Sequence, residues 1–240
     1  FEMAKRKNIM PQKSNATSKS NAVQIKEDKS ASKLNSCILD DCYPLNSICL
    51  EVQHPKAVYL ARNFFSADEC HAWIDLFNGA SKMDYVSHPA SRSIAHRECY
   101  RWHLDDWTLS HQFFQRIRSA KLLEGLDFGF SKEYPIACNG NLRLYKYDKG
   151  MSFGRHIDES NRTDHGITRV TVLIYLSDCQ GGGATRFHVT RKQSFAVSPV
   201  QGSILFHVHG DQCLEHEGDP VIRGTKYVLR TDLLYSSNIQ

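Results

Sequence analysis

The stretch GRHIDES, residues 154–160, sets two metal-binding side chains, His156 and Asp158, one residue apart. On a β-strand, residues i and i+2 point the same way. An imidazole and a carboxylate at this spacing can therefore bind one cation together. Two ligands do not complete a site, so a third is expected from another strand. The downstream histidines are His165, His188, His207, His209 and His216. The segment CLEHEGDPVIRGTKYVLRTDLLY, 213–235, favours His216, because Lys226 follows on a strong strand-forming run. A cation beside a metal suits a co-substrate that carries two carboxylates. HVH at 207–209 is a rival: it is itself a same-face pair, and with His216 it would make a three-histidine zinc site.

These residues need strands to position them. From 141 to 235 the chain reads as short runs rich in Val, Ile, Leu and Tyr: NLRLYKY, ITRVTVLIYL, ATRFHV, QSFAV, GSILFHV and TKYVLRTDLLY. Turn residues divide them, among them Asp148-Lys149-Gly150 and Gly181-Gly182-Gly183. No helix of useful length fits among these runs. Upstream, AVYLARNFF (57–65) reads as a strand that runs into a helix, SADECHAWIDLFNG. Ser66 as N-cap and Glu69 three residues on form a capping box, and Gly79 is placed to stop the helix in the left-handed region. Apolar spacing predicts a second helix over 108–124, whereas 80–107 reads as an irregular region with short strands. The expected architecture is α+β with a mainly β core, an antiparallel sandwich or barrel with helices packed on one side.

Composition bounds the function classes. The 240 residues are 41% hydrophobic, enough for one sizeable core. No apolar run reaches the length of a membrane span, and the N-terminal stretch lacks the apolar segment of a secretory signal. Residues 1–34 carry eight Lys/Arg against three acids, a balance of +5 in a chain of net charge +4. The basic character thus belongs to a polar tail, 1–35, that is expected to be disordered, and 36–240 is expected to be one domain with its core at 141–235. The eight cysteines include no C-x-x-C pair. Reduced thiols in the cytoplasm or nucleus are expected.

Two histidines and one carboxylate with open positions form the facial triad of non-haem Fe(II) oxygenases. With NLRLYKYDKGMSFGRHID, TRVTVLIYLSDCQGGGATRF and GSILFHVHGDQCLEHEGDPVIRGTKYVLRTD in this order, the chain resembles the Fe(II)/2-oxoglutarate dioxygenases of the prolyl 4-hydroxylase-like type. The resemblance covers about 141–235 closely, 47–79 more loosely and 1–35 not at all. It implies a double-stranded β-helix, of jelly-roll or cupin-like form. It implies His156, Asp158 and His216 as iron ligands, with Lys226 and Tyr147 holding the far carboxylate of 2-oxoglutarate. Arg230, on the strand face of Lys226, is a second candidate anchor or a substrate contact. Arg143 and Tyr145 share the face of Tyr147. Phe153 stands where the family often has Tyr, which removes one hydrogen bond near the metal. The implied reaction is hydroxylation of a protein or peptidyl residue, proline among the candidates, coupled to decarboxylation of 2-oxoglutarate to succinate, with O2 consumed and ascorbate a candidate reductant. Two alternatives stay open: the same chemistry on a small metabolite or nucleic-acid base, and a non-catalytic β-helix that binds a partner. A near-neutral core speaks against a nucleic-acid substrate, and no membrane partner is expected.

Overall fold

The computed structural model describes residues 39–40, 43–45, 48–91, 94–130 and 133–236. The basic segment 1–35 lies outside the described residues. The chain forms one long curled antiparallel sheet. From edge to edge the strands run Leu50–His54, Val58–Ala61, Ile204–Val208, Gly166–Tyr175, Lys226–Tyr235, Asn141–Tyr147, Arg97–Asp105, Phe153–His156, Glu215–Gly218, Thr185–His188 and Ser194–Val197. Apart from the hairpins at its two ends, neighbours in this order are far apart in sequence, the mark of a strand path wound back and forth into a barrel. No helix among the described residues is long and apolar enough to cross a membrane.

The strand Lys226–Tyr235 runs through the middle of the sheet, paired with Gly166–Tyr175 on one side and Asn141–Tyr147 on the other. Its alternation divides its side chains. Lys226, Val228 and Arg230 line the cavity inside the barrel, while Tyr227 meets Phe77 of the first helix edge to face, ring centroids 5.9 Å apart. That helix, Ala67–Gly79, buries Cys70, Trp73 and Phe77, and Trp73 stacks on Phe113 of the helix Trp107–Ser119 at 5.7 Å. The helices therefore cover the outer face of the sheet and leave its inner face to the cavity.

The capping box forms as the sequence predicts: Ser66 Oγ accepts from the Glu69 N–H and Glu69 accepts from the Ser66 N–H. Glu69 does more than cap. It is buried, takes Arg116 bidentately at 2.5 and 3.0 Å, and also accepts from the Asp40 backbone. The helix stop differs from expectation. Gly79 is not left-handed; Ala80 is extended and its N–H returns to Phe77 O at 3.2 Å. The second helix is shorter than 108–124. It ends at Ser119, because Lys121 turns left-handed (φ 56°) before a single further turn, Leu122–Gly125. Gly182, by contrast, needs to be glycine: its φ is +73° and a Cβ would sit 2.1 Å from Pro220 O, which lets the Gly181–Gly182 segment close against Val221–Arg223.

The larger correction concerns 80–107. It holds two strands, Asp84–His88 and the nine-residue Arg97–Asp105, and the second joins Asn141–Tyr147 to Phe153–His156. Its pattern is period two: Tyr100, Trp102 and Leu104 pack on the hydrophobic core, while Arg97 reaches the cavity. The charged inner positions disguised the alternation.

Removing Arg116 strands a buried carboxylate. Arg116→Ala is expected to destabilise the fold by about 3–5 kcal/mol in chemical denaturation. A loss near zero would mean that water reaches Glu69 and replaces the guanidinium.

Candidate active site

Strand register assembles the site. In the pairing of Glu215–Gly218 with Phe153–His156, His216 lies directly opposite His156. In the pairing of Lys226–Tyr235 with Asn141–Tyr147, Lys226 lies opposite Tyr147. Asp158 follows just past the end of its strand. Its Oδ1 lies 3.6 Å from His156 Nε2 and its Oδ2 lies 3.9 Å from His216 Nε2. One ligand atom from each of the three falls within 4.8 Å of the other two. All three line one cavity, together with Arg97, Tyr145, Tyr147, Phe153, Lys226 and Arg230.

Both histidines are held in one tautomer by their own strands. His156 Nδ1 donates to Gly154 O at 2.8 Å, and His216 Nδ1 donates to Leu214 O at 2.9 Å. Each Nε2 lone pair is thereby left for the cavity, the arrangement that metal-bound imidazoles show. Burial keeps both rings neutral. It lowers His156 to about 3, with His216 beside it adding to the effect, and lowers His216 as well. Asp158 goes the other way. Burial alone would raise it, but Arg230 first and then His207, His216 and His156 hold it well below the usual carboxylate range. Two neutral nitrogens and one anionic oxygen thus face one space, a donor set that fits Fe(II).

Arg230 is committed to that carboxylate. Its Nη2 lies 3.0 Å from Asp158 Oδ2, 3.3 Å from Asp232 Oδ1 and 3.0 Å from Thr171 Oγ1. Thr171 donates to Asp158 at 2.7 Å, and Arg143 closes the series on Asp232 at 2.5 Å. The interior therefore carries a ladder, Arg143–Asp232–Arg230–Asp158, in which each charge faces its opposite. Asp232 and Thr171 escaped the sequence reading because both sit in apolar runs; only strand pairing, Asp232 opposite Thr171, brings them together.

Lys226 has no such partner. It is 5% exposed, and no carboxylate among the described residues lies within ion-pair distance. Its Nζ sits 5.6 Å from the ring centres of Tyr147 and Tyr175, and burial lowers its pKa to about 8. Tyr147 is buried too, which raises its phenol and keeps it a neutral donor. At the other end Phe153 stacks on His156 at 3.8 Å, and the Arg97 guanidinium covers Phe153 at 3.6 Å. Tyr145 lines the cavity as the shared face suggests, whereas Arg143 is occupied by Asp232. Of the rival pair, His207 reaches the cavity, its Nε2 3.7 Å from Asp158 Oδ2. His209 is tied to Thr171 Oγ1 at 2.7 Å and Thr168 O at 3.3 Å. His165 packs against Trp107, and His188 contacts Glu217 at 2.9 Å, so neither joins the cluster.

The profile of the 2OG-Fe(II) oxygenase superfamily matches residues 142–231, which hold all of these ligand candidates. The match supports a 2OG-Fe(II) oxygenase of the prolyl 4-hydroxylase-like type. Within it the likeness is to prolyl 4-hydroxylases. The chain is 27% identical over 205 residues to probable prolyl 4-hydroxylase 3 of Arabidopsis thaliana, covering 72% of this chain and 67% of that protein. It is 25% identical to prolyl 4-hydroxylase 13 of the same plant, covering 73% and 69%. The fold matches the 2-oxoglutarate complex of the viral collagen prolyl hydroxylase from Paramecium Bursaria Chlorella virus-1, with TM-score 0.53, 19% identity and 78% and 99% of the two chains covered. It also matches a Trichoplax adhaerens prolyl hydroxylase in complex with a hypoxia inducible factor peptide fragment, with TM-score 0.55, 14% identity and 87% and 94% covered. These neighbours have the double-stranded β-helix fold. The family of the matching profile implies Fe(II), 2-oxoglutarate and O2.

Lys226 gives a pH signature. Its folded pKa, about 8, lies below the 10.5 of the free side chain. The unfolded chain therefore binds more protons between those values, and this group makes stability rise with pH across that window. Below about pH 8 the full cost of burying an ammonium applies, on the order of 3 kcal/mol. Lys226→Met is accordingly expected to raise the melting temperature of the ligand-free protein at neutral pH and to flatten its rise between pH 8 and 10.5. An unchanged or lower melting temperature would mean that an anion already neutralises Lys226.

Proposed function

We propose that this oxygenase hydroxylates peptidyl proline. In this reading His156, Asp158 and His216 hold Fe(II), and Lys226 with Tyr147 takes the far carboxylate of 2-oxoglutarate. The observation that carries it is the unpaired buried cation of Lys226, opposite Tyr147, in the same cavity as two imidazoles with free Nε2 atoms and one carboxylate. A dicarboxylate that binds the metal at one end and meets a lone ammonium at the other fits this arrangement. The relatives over about 70% of the chain are named as prolyl 4-hydroxylases, and one structural neighbour holds a peptide. This supports a peptidyl substrate over a small metabolite.

When bound, the iron with its co-substrate supplies the oxidising power that inserts one oxygen atom of O2 into a substrate C–H bond while 2-oxoglutarate becomes succinate and CO2. The chain's own residues orient and exclude. The Gly154 and Leu214 carbonyls fix the two rings, while Arg230 and Thr171 hold Asp158 ionised and in place. Tyr147 donates a hydrogen bond beside the Lys226 charge. Phe153 offers no hydroxyl and closes the side of the His156 ring against water. Arg97 covers Phe153 with no ion-pair partner among the described residues, so its guanidinium is open to an acceptor on the substrate.

Anaerobic titration with Mn(II) and 2-oxoglutarate tests the site, and mass spectrometry of a proline-bearing peptide tests the substrate. Mn(II)-dependent 2-oxoglutarate binding and a peptide heavier by one oxygen are expected. Turnover of 2-oxoglutarate with no peptide modified would move the substrate to a metabolite, and no 2-oxoglutarate binding would end the enzyme reading.

Lys226→Ala should leave a carboxylate buried without its partner, a cost on the order of 3–5 kcal/mol. The 2-oxoglutarate Kd should therefore rise roughly a hundredfold or more, with Mn(II) still bound. Arg230→Ala should instead weaken Mn(II) binding, because its contacts are to Asp158 and Asp232. If Arg230→Ala lost 2-oxoglutarate and kept the metal, the anchor would be Arg230.

A further inference from the structure

A second group of metal-binding atoms shares His216. One ring nitrogen of His207, Sγ of Cys213 and one ring nitrogen of His216 lie within 4.8 Å of one another, and all three residues are buried. Cys213 Sγ is 3.9 Å from His216 Nδ1, and the His207 and His216 rings are 4.4 Å apart. Tetrahedral zinc, with bonds of about 2.3 Å to sulfur and about 2.0 Å to nitrogen, sets those two ligand atoms about 3.5 Å apart. The observed spacing is near that value before any ion draws the ligands in.

His207 adds an independent sign. It is 2% exposed, within the otherwise apolar strand Ile204–Val208. Its Nδ1 is buried and has no hydrogen-bond partner among the described residues. Such atoms are rare in native interiors and call for an occupant. The Asp158 backbone N–H also bonds to the Cys213 sulfur.

We propose that His207, Cys213 and His216 form a zinc site that competes with iron for His216. Two imidazoles and a thiolate are a softer set than two imidazoles and a carboxylate, and soft ligands select zinc over Fe(II). The competition follows from proton accounting. A neutral imidazole has one lone pair. His216 now carries its proton on Nδ1, donated to Leu214 O. If zinc takes Nδ1, that proton must move to Nε2, which can then no longer bind iron. If zinc takes Nε2, the same atom is occupied. Either way one ion excludes the other. The zinc site stands on its own residues; only the competition rests on the assignment of His216 to iron.

Cobalt(II) provides a probe that reads thiolate ligation directly. The full-length metal-free protein, titrated with Co(II), is expected to show a thiolate-to-cobalt charge-transfer band that is absent in Cys213→Ala. Zn(II) affinity, measured against a chelating dye, should fall roughly tenfold or more in Cys213→Ala, while Mn(II) affinity stays the same. In the wild type Zn(II) should displace bound Mn(II) one for one. No thiolate band in the wild type, or equal Zn(II) affinity with and without the thiol, would overturn the site. Should Cys213→Ala not fold, Cys213→Ser is read in the same way and the wild-type band decides alone. Failure of Mn(II) and 2-oxoglutarate to bind would count against the iron reading and leave the cobalt result to stand separately.

Discussion

Asp158 sets a carboxylate on the inner wall of a β-barrel, where burial works against its charge. A lone ionised acid there would take up a proton, and a protonated acid is a poor partner for a cation. Arg230 prevents this from four residues past Lys226 on the central strand, and Thr171 adds a hydroxyl from the neighbouring one. The solution creates a further demand. Burial works against the charge on Arg230 as well, so Asp232 stands beside it, and Arg143 stands beside Asp232. The ladder fixes which face of three adjacent strands points inward. A register slip of one residue would turn every one of these groups toward the helices.

Against this neutralised ladder, two cations of the cavity wall without ion-pair partners among the described residues stand out. Lys226 lies opposite Tyr147 on the inner face, and Arg97 covers Phe153 beside the His156 ring. An unpaired buried ammonium destabilises the fold. Sites that bind charged ligands commonly carry such a cost, and the ligand relieves it. The position of Lys226 supports the proposed dicarboxylate for a physical reason: the fold already answers each anion it buries on this wall, so the remaining positive charge is available to something that arrives.

The ligand candidates were legible because each depends on local spacing. His156 and Asp158 are two apart in sequence, with Asp158 just past the end of its strand, Lys226 begins a run of unmistakable β character, and Ser66 with Glu69 spells a capping box. What could not be read was long-range pairing. Nothing local says that Arg230 faces Asp158 across 72 positions of sequence, or that Arg143 meets Asp232. The strand Arg97–Asp105 hid for a related reason. Its inner face is polar because it borders a cavity, so the alternation lacked the contrast that marks a half-buried strand. Arg97 was missed with it. Cys213 looked unremarkable in sequence, because its neighbour His207 comes from a different strand.

His216 ties these levels together. Its strand partner His156 and the Leu214 carbonyl fix the ring so that Nε2 faces Asp158 and Nδ1 faces back toward Cys213. An imidazole held this way has two chemically different sides. One is hard, bounded by a carboxylate and an open cavity; the other is soft, bounded by a thiol. The Leu214 hydrogen bond decides which side carries the lone pair, and in the structure it assigns the lone pair to the hard side. Access to the soft side requires that one bond to be given up. The preference between the two sides is therefore set by a single backbone carbonyl, at a strength of roughly one hydrogen bond, about 1 kcal/mol net. A bias that small can be reversed by the stronger affinity of a thiophilic ion.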